Sequence, residues 1–260
     1  MTVPAGEVVQ PATSFDAYQW PPTKARIVAA GLTLAFAAAL WAQGGVGRVL
    51  GTLLLLDTLV QILPWRYPRS ARRGSSVWLE ASLYLAAPVT FAVVMVITGH
   101  APWLTRWPAA GWVLAAVGVG GALLWLGGAN LRLLLLGGVK FVAAPVTGPH
   151  KWARATTVVV APPCEEMVFR GVVLSTAGVA ALPVGLLGAI AFVARHHLPT
   201  GRSPRTSDRE FLTQALAAVA LLWLTYTSGS IIPALIAHVL NNIPSTLLEF
   251  QRPTLRNGQS

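Results

Sequence analysis

Val77–Thr98 reads VWLEASLYLAAPVTFAVVMVIT, an apolar run with a single charged side chain, Glu80. It matches the roughly 20 apolar residues that carry an α-helix across a bilayer. Comparable runs recur on both sides of it. Ile27–Trp41 and Val46–Leu63 precede it, and Gly111–Leu126, Leu131–Pro145, Val179–Val193, Phe211–Tyr226 and Ile231–Phe250 follow. The chain is therefore predicted to be an all-α, polytopic transmembrane helical bundle of about eight spans.

Composition agrees. Of 260 residues, 54% are hydrophobic and 11% charged, and the mean hydropathy is +0.60. Soluble domains carry about 25% charged residues, so lipid is expected to be the solvent over much of the surface. The net charge is +10, from 19 Lys and Arg against 9 Asp and Glu. Basic loops between spans account for this excess, since they orient the chain and meet anionic headgroups. No basic stretch interleaved with aromatics is present, which argues against a nucleic-acid partner.

The division expected along the chain is a flexible polar tail at 1–23, rich in Pro, one transmembrane domain at 24–250, and a polar tail at 251–260. Arg66, Arg69, Arg72 and Arg73 mark a cytoplasmic loop. A second charged loop carries Arg202, Arg205, Asp208, Arg209 and Glu210. If every run crossed, the two loops would face opposite sides. The short run Leu131–Pro145, interrupted by Lys140, is therefore the one expected not to cross. Of ten Trp residues, Trp20, Trp41, Trp65, Trp78, Trp103, Trp107, Trp112 and Trp152 lie near the ends of runs, as an interfacial belt does. The setting is an integral, multi-pass membrane protein, of the plasma membrane if the source is prokaryotic.

Ionisable residues inside the bilayer are expensive and point to function. The richest segment is Ala161-Pro-Pro-Cys-Glu-Glu-Met-Val-Phe-Arg170-Gly171. Pro162 and Pro163 suit the start or a kink of a helix, which puts Glu165 and Glu166 in its first turn, favoured by the macrodipole. Glu166 and Arg170 share a face and can form an ion pair. Glu165 points about 100° away, with Phe169 beside it and no local partner. This predicts a supporting pair, Glu166 and Arg170, and a Glu165 free for chemistry. Two further helices present Phe192 with His196, and His238 with Asn242, each pair four residues apart. Asp57 pairs with a distant Arg or lines the cavity, and Glu80 and Lys140 reach toward the interface. Cys164, the single cysteine, is a poor nucleophile beside two carboxylates.

A carboxylate can deprotonate water and an imidazole can orient it or donate a proton. Imidazole and Asn N–H groups can stabilise an oxyanion. Glu165-Glu166-x-x-x-Arg170, Phe192-x-x-x-His196 and His238-x-x-x-Asn242 together resemble the three-motif signature of the CAAX-protease and bacteriocin-processing family of intramembrane endopeptidases. Ala161-Pro162, Phe169-Arg170-Gly171 and Thr227-Ser-Gly-Ser230 extend the similarity, which covers about Val158 to Asn242, within a motif-bearing core at about 153–249. The resemblance implies hydrolysis of a peptide bond, with Glu165 and His196 activating water and His238 and Asn242 forming the oxyanion site. Glu166, Arg170 and Phe192 would support them. The doubled His196-His197 and the charged insertion at 202–210 depart from the pattern, and spacing from Phe192 favours His196. A metal-free mechanism that needs no cofactor is preferred. If a divalent metal such as zinc binds, its ligands would be Glu165, His196 and His238.

Rival chemistries lack their residues. His-Glu-x-x-His is absent, Asp57 is the one intramembrane Asp, and Ser228-Gly229-Ser230 reads as a turn. The expected partners are a peptide or membrane-protein substrate and the bilayer. The alternative is a non-catalytic membrane protein of the same fold, serving bacteriocin immunity, scaffolding or transport. Substrate identity and oligomeric state are not encoded in these motifs.

Overall fold

The computed structural model describes residues 24–62, 74–101, 106–128, 131–138, 143, 145–175, 181–198 and 208–255. The tail at 1–23, Trp20, the arginines at 66–73, Trp65, Trp103, Lys140, Arg202 and Arg205 lie outside the described residues, as do the side chains of 208–210.

The described chain is a helical bundle. In order, its helices are α1 Lys24–Trp41, α2 Gly45–Ile62, α3 Gly74–Ile97, α4 Ala110–Gly127, α5 Leu131–Leu135, α6 Gly148–Glu166, α7 Val172–Ser175, α8 Ala181–His197, α9 Asp208–Ser228 and α10 Ile232–Gln251. A π-helical turn, Met167–Gly171, joins α6 to α7. Extended structure among the described residues is limited to a lone parallel bridge between Val146 and Thr254.

Five stretches are long and apolar enough to cross a membrane, namely Lys24–Trp41, Gly45–Ile62, Val77–Ile97, Ala110–Gly127 and Phe211–Ser228. Ala181–His197 is a shorter apolar helix. Their outer faces carry large apolar side chains, including Leu114 at 73% exposure and Ile97 at 74%, as expected where lipid is the solvent. The run beginning at Leu131 forms only the five-residue helix α5. At 1.5 Å per residue that helix covers far less than about 30 Å of hydrocarbon, and residues 139–142 and 144 of the run lie outside the described residues.

Neighbouring helices are arranged as a ring, with α1 against α2 and α8, α3 against α2 and α6, and α10 against α6, α9 and α4. The π turn occupies the middle, packed on α3, α8 and α9. Small residues permit the close approaches. A Cβ on Gly188 of α8 would lie 2.8 Å from the Phe169 carbonyl oxygen. One on Gly120 of α4 would lie 3.0 Å from the Ala237 carbonyl oxygen of α10.

Arg26 ties one rim of the bundle together. It is buried, and its Nε donates to the Leu198 carbonyl at 3.0 Å while Nη2 donates to the carbonyls of Gln61 at 3.1 Å and Ile62 at 3.4 Å. The ends of α2 and α8, from which the chain enters its two basic loops, thus meet at one face. The positive-inside rule expects both loops on one side. At the opposite rim, Ser175 Oγ donates to the His100 carbonyl and Ser230 Oγ to the Arg106 carbonyl, each at 2.9 Å. The Thr227–Ser230 stretch is the turn that the sequence suggested. Gly229 adopts φ +62°, and Ser230 Oγ accepts from the Ile232 N–H at 3.2 Å as α10 begins.

Candidate active site

The acidic pair does not open a helix. The helix opens at Thr147, whose hydroxyl accepts from the His150 N–H, and Pro149 sits in its first turn. Pro162 and Pro163 lie inside α6, and Glu165 and Glu166 end it. The macrodipole argument for the pair therefore fails, and the proline pair acts as an interior break. A proline removes a ladder hydrogen bond and crowds the preceding turn, and the chain widens into the π turn just beyond. Such turns are frequent at functional sites.

Glu166 is fully buried. Its Oε1 accepts from Arg170 Nη1 at 3.1 Å, as expected, and also from His238 Nδ1 at 2.6 Å, which sequence spacing could not reveal. Among the described residues, Arg170 Nε and Nη2 have no hydrogen-bond acceptor. Instead the guanidinium lies over the Phe192 ring, 4.0 Å from its centroid, a cation–π contact strengthened by desolvation. Phe192 is the hub of the site. Its ring packs edge-on to His196 at 4.6 Å, Phe169 at 5.6 Å and His238 at 5.8 Å between centroids. Phe169 turns toward Phe36 and Phe192.

Glu165 is not free of partners, which corrects the expectation drawn from its own helix. Its Oε1 accepts from the Tyr84 hydroxyl and from Arg195 Nη1, each at 3.2 Å. Arg195 in turn binds Asp57, with Nε to Oδ2 at 2.8 Å and Nη2 to Oδ1 at 3.5 Å. Asp57 has thus found its distant arginine. Tyr84 and Arg195 are site residues missed at the level of motifs. The signal for Arg195 was present, since a buried Asp in α2 requires a cation and Arg195 directly precedes the motif histidine.

His196 and His238 both lie within electrostatic reach of Glu165. His196 Nδ1 meets the Phe192 carbonyl at 2.7 Å. A carbonyl and a carboxylate only accept, so both imidazoles carry a hydrogen on Nδ1 and turn Nε2 to other work. A cavity of about 470 Å³ is lined by Phe192 and His196 of α8, by Gln214 and Leu221 of α9, and by His238 and Asn242 of α10. Four of the residues singled out by the motifs thus share one space, whereas Glu165 is not among the residues that line it. His197 packs toward Phe211 instead, with ring centroids 6.0 Å apart, so of the doubled pair it is His196 that lines the cavity. Leu124 and Gly127 of α4 close the cavity. The lining comes from the ends of α4 and α8 and the start of α9, on the side of the Arg26 rim.

Residues 148–244 match the family model described as type II CAAX prenyl endopeptidase Rce1-like. This stretch is similar to that family's domain. It contains Glu165, Glu166, Arg170, Phe192, His196, His238 and Asn242, and the family is one of CAAX endopeptidases. This similarity and the five long apolar helices together support an integral membrane protein. Neither a curated protein nor a solved structure matches the chain.

Among the described residues no group of three or more His, Cys, Asp or Glu side chains converges to hold an ion. Of the candidate ligands, Glu165 shares Oε1 between Tyr84 and Arg195, His238 directs Nδ1 to Glu166 and His196 directs Nδ1 to the Phe192 carbonyl, contacts that leave the Nε2 atoms of both imidazoles for other groups.

Proposed function

We propose that this chain is an intramembrane endopeptidase that hydrolyses a peptide bond with a water molecule activated by Glu165 and His196. The observation that carries the reading is the shared cavity, in which His196, His238 and Asn242 face one space with Glu165 in electrostatic reach. Glu165 takes a proton from water, and the resulting hydroxide attacks the scissile carbonyl carbon. Neutral His196, with its hydrogen on Nδ1, offers the Nε2 lone pair to orient that water. The oxyanion receives hydrogen bonds from the Asn242 amide and, when its ring carries both hydrogens, from His238 Nε2. Collapse of the tetrahedral intermediate returns the proton to the departing amine.

The substrate is read as a peptide or membrane-anchored protein, prenylated or not. It would enter from the side of the basic loops, cytoplasmic by the positive-inside rule. No cofactor is invoked, and residues 24–250 are read as one membrane domain of a plasma-membrane protein. A second, non-catalytic reading draws support from the ion pair on Glu165, because intramembrane carboxylates paired with arginine are often structural. The hydrolytic reading is favoured because the pair engages Oε1 alone, with no described partner on Oε2.

The test is hydrolysis by the purified protein in lipid nanodiscs, using internally quenched peptides with and without S-farnesyl cysteine. The rate should fall toward acid pH as Glu165 takes up a proton. A rate that stays flat down through about 4.3, the ordinary Glu range, contradicts Glu165 as the base.

A further inference from the structure

Arg195 presents an electrostatic puzzle. A guanidinium and a carboxylate prefer the bidentate, fork-to-fork geometry. Had Arg195 met Glu165 that way, both carboxylate oxygens would be engaged and the base would be quenched. The bidentate contact is made with Asp57 instead, through Nε at 2.8 Å and Nη2 at 3.5 Å. Nη2 also donates to the Tyr84 carbonyl at 3.2 Å, and the guanidinium sits 4.6 Å from the Tyr84 ring centroid. Only Nη1 reaches Glu165, at 3.2 Å, and it touches Oε1, the oxygen already held by the Tyr84 hydroxyl. Asp57 is itself fixed by Gln61 Nε2 at 3.4 Å, one turn along α2.

We infer that Asp57 is a positioning residue for the reaction, holding Arg195 off the second oxygen of Glu165 so that this oxygen stays available to water. The inference rests on the reading of Glu165 as the base. Asp57 and Tyr84 belong to α2 and α3, outside the 148–244 match, so on this account the N-terminal helices tune the site that the C-terminal helices carry. The arrangement also divides charge. One cation is shared by two carboxylates, Asp57 and Glu165. The other groups facing Glu165 are Tyr84 from α3, His196 from α8 and His238 from α10, with Cys164 on its own helix and Arg170 in the π turn that follows it.

The test follows ionisation of Glu165 directly and needs no substrate. The infrared difference between each protein and its Glu165→Gln counterpart, recorded against pH in nanodiscs, isolates the Glu165 carboxylate band. In Asp57→Asn the released guanidinium closes on Glu165, and half-protonation should move to lower pH by about one unit. In Arg195→Gln the cation is lost, and the midpoint should move about one unit the other way. The double variant Asp57→Asn/Arg195→Gln should behave as Arg195→Gln alone. Tyr84→Phe, the mildest change, should also raise the midpoint by removing a donor from Oε1, and it carries the test if the charge variants do not fold. Opposite shifts from Asp57→Asn and Arg195→Gln support the inference. Shifts of the same sign, or none in Tyr84→Phe, overturn it. Retention of peptide hydrolysis by Glu165→Gln would remove the catalytic reading while leaving these titrations to be judged separately.

Discussion

His238 Nδ1 donates to Glu166 Oε1 across 2.6 Å, joining α10 to the end of α6. The glutamate that the motif spacing assigns to a structural ion pair therefore also orients an imidazole at the cavity wall. Glu166→Gln keeps the volume but loses the charge. It is expected to lower kcat on the order of a hundredfold, with a smaller change in KM and an unfolding temperature near that of the parent. Wild-type kcat in a folded Glu166→Gln protein would contradict an orienting role.

Arg170 and Glu166 are each 0% exposed. Breaking such a pair on one side leaves a buried charge without compensation, at about 3–5 kcal/mol. Arg170→Met should therefore be strongly destabilising by thermal unfolding in detergent. The paired change Glu166→Leu/Arg170→Met should recover much of that loss while abolishing hydrolysis. No recovery in the double variant would mean that the cost arises from packing on Phe192 and not from the stranded carboxylate.

Glycine positions in the two apolar helices should respond in opposite ways. A methyl on Gly188 would press to 2.8 Å from the Phe169 carbonyl oxygen, a backbone atom with little room to yield, whereas a methyl on Gly118 meets nothing within 4 Å. Gly188→Ala is expected to cost about 1–3 kcal/mol and to disturb Phe192, one turn further along α8. Gly118→Ala should be tolerated. Equal unfolding temperatures for the two variants would contradict the close packing of α8 on the π turn.

Arg26 brings the ends of α2 and α8 to one rim, so the segments after Ile62 and after Leu198 should emerge on the same side of the membrane. Single cysteines placed at 69 and 202 in a Cys164→Ser background should react alike with a membrane-impermeant thiol reagent. Labelling of one from outside and the other only after lysis would reject this arrangement.

The bundle was legible in the sequence because the length and apolarity of runs such as Val77–Thr98 are one-dimensional properties. The Glu166–Arg170 pair was legible for a similar reason, since a four-residue spacing fixes a shared face. The triplet Glu165–Arg195–Asp57 was not. Its members sit on three helices, and only tertiary packing decides which arginine meets which acid. The prolines misled for a related reason. Pro162-Pro163 fits a helix start as well as an interior break, and the upstream signal that resolves the choice, Thr147 followed by Pro149, is itself a good helix start. The role of Glu166 toward His238 lay equally out of reach, because it depends on how α10 docks against α6.

The most direct test of the account is the rate of cleavage of the quenched peptides by Glu165→Gln beside the parent, in nanodiscs at neutral pH, with unfolding temperatures matched. The account predicts a fall of about a hundredfold to ten-thousandfold, the usual share of a general base. Cleavage by Glu165→Gln at the parent's rate would contradict it, and would return the buried glutamates to a purely structural role.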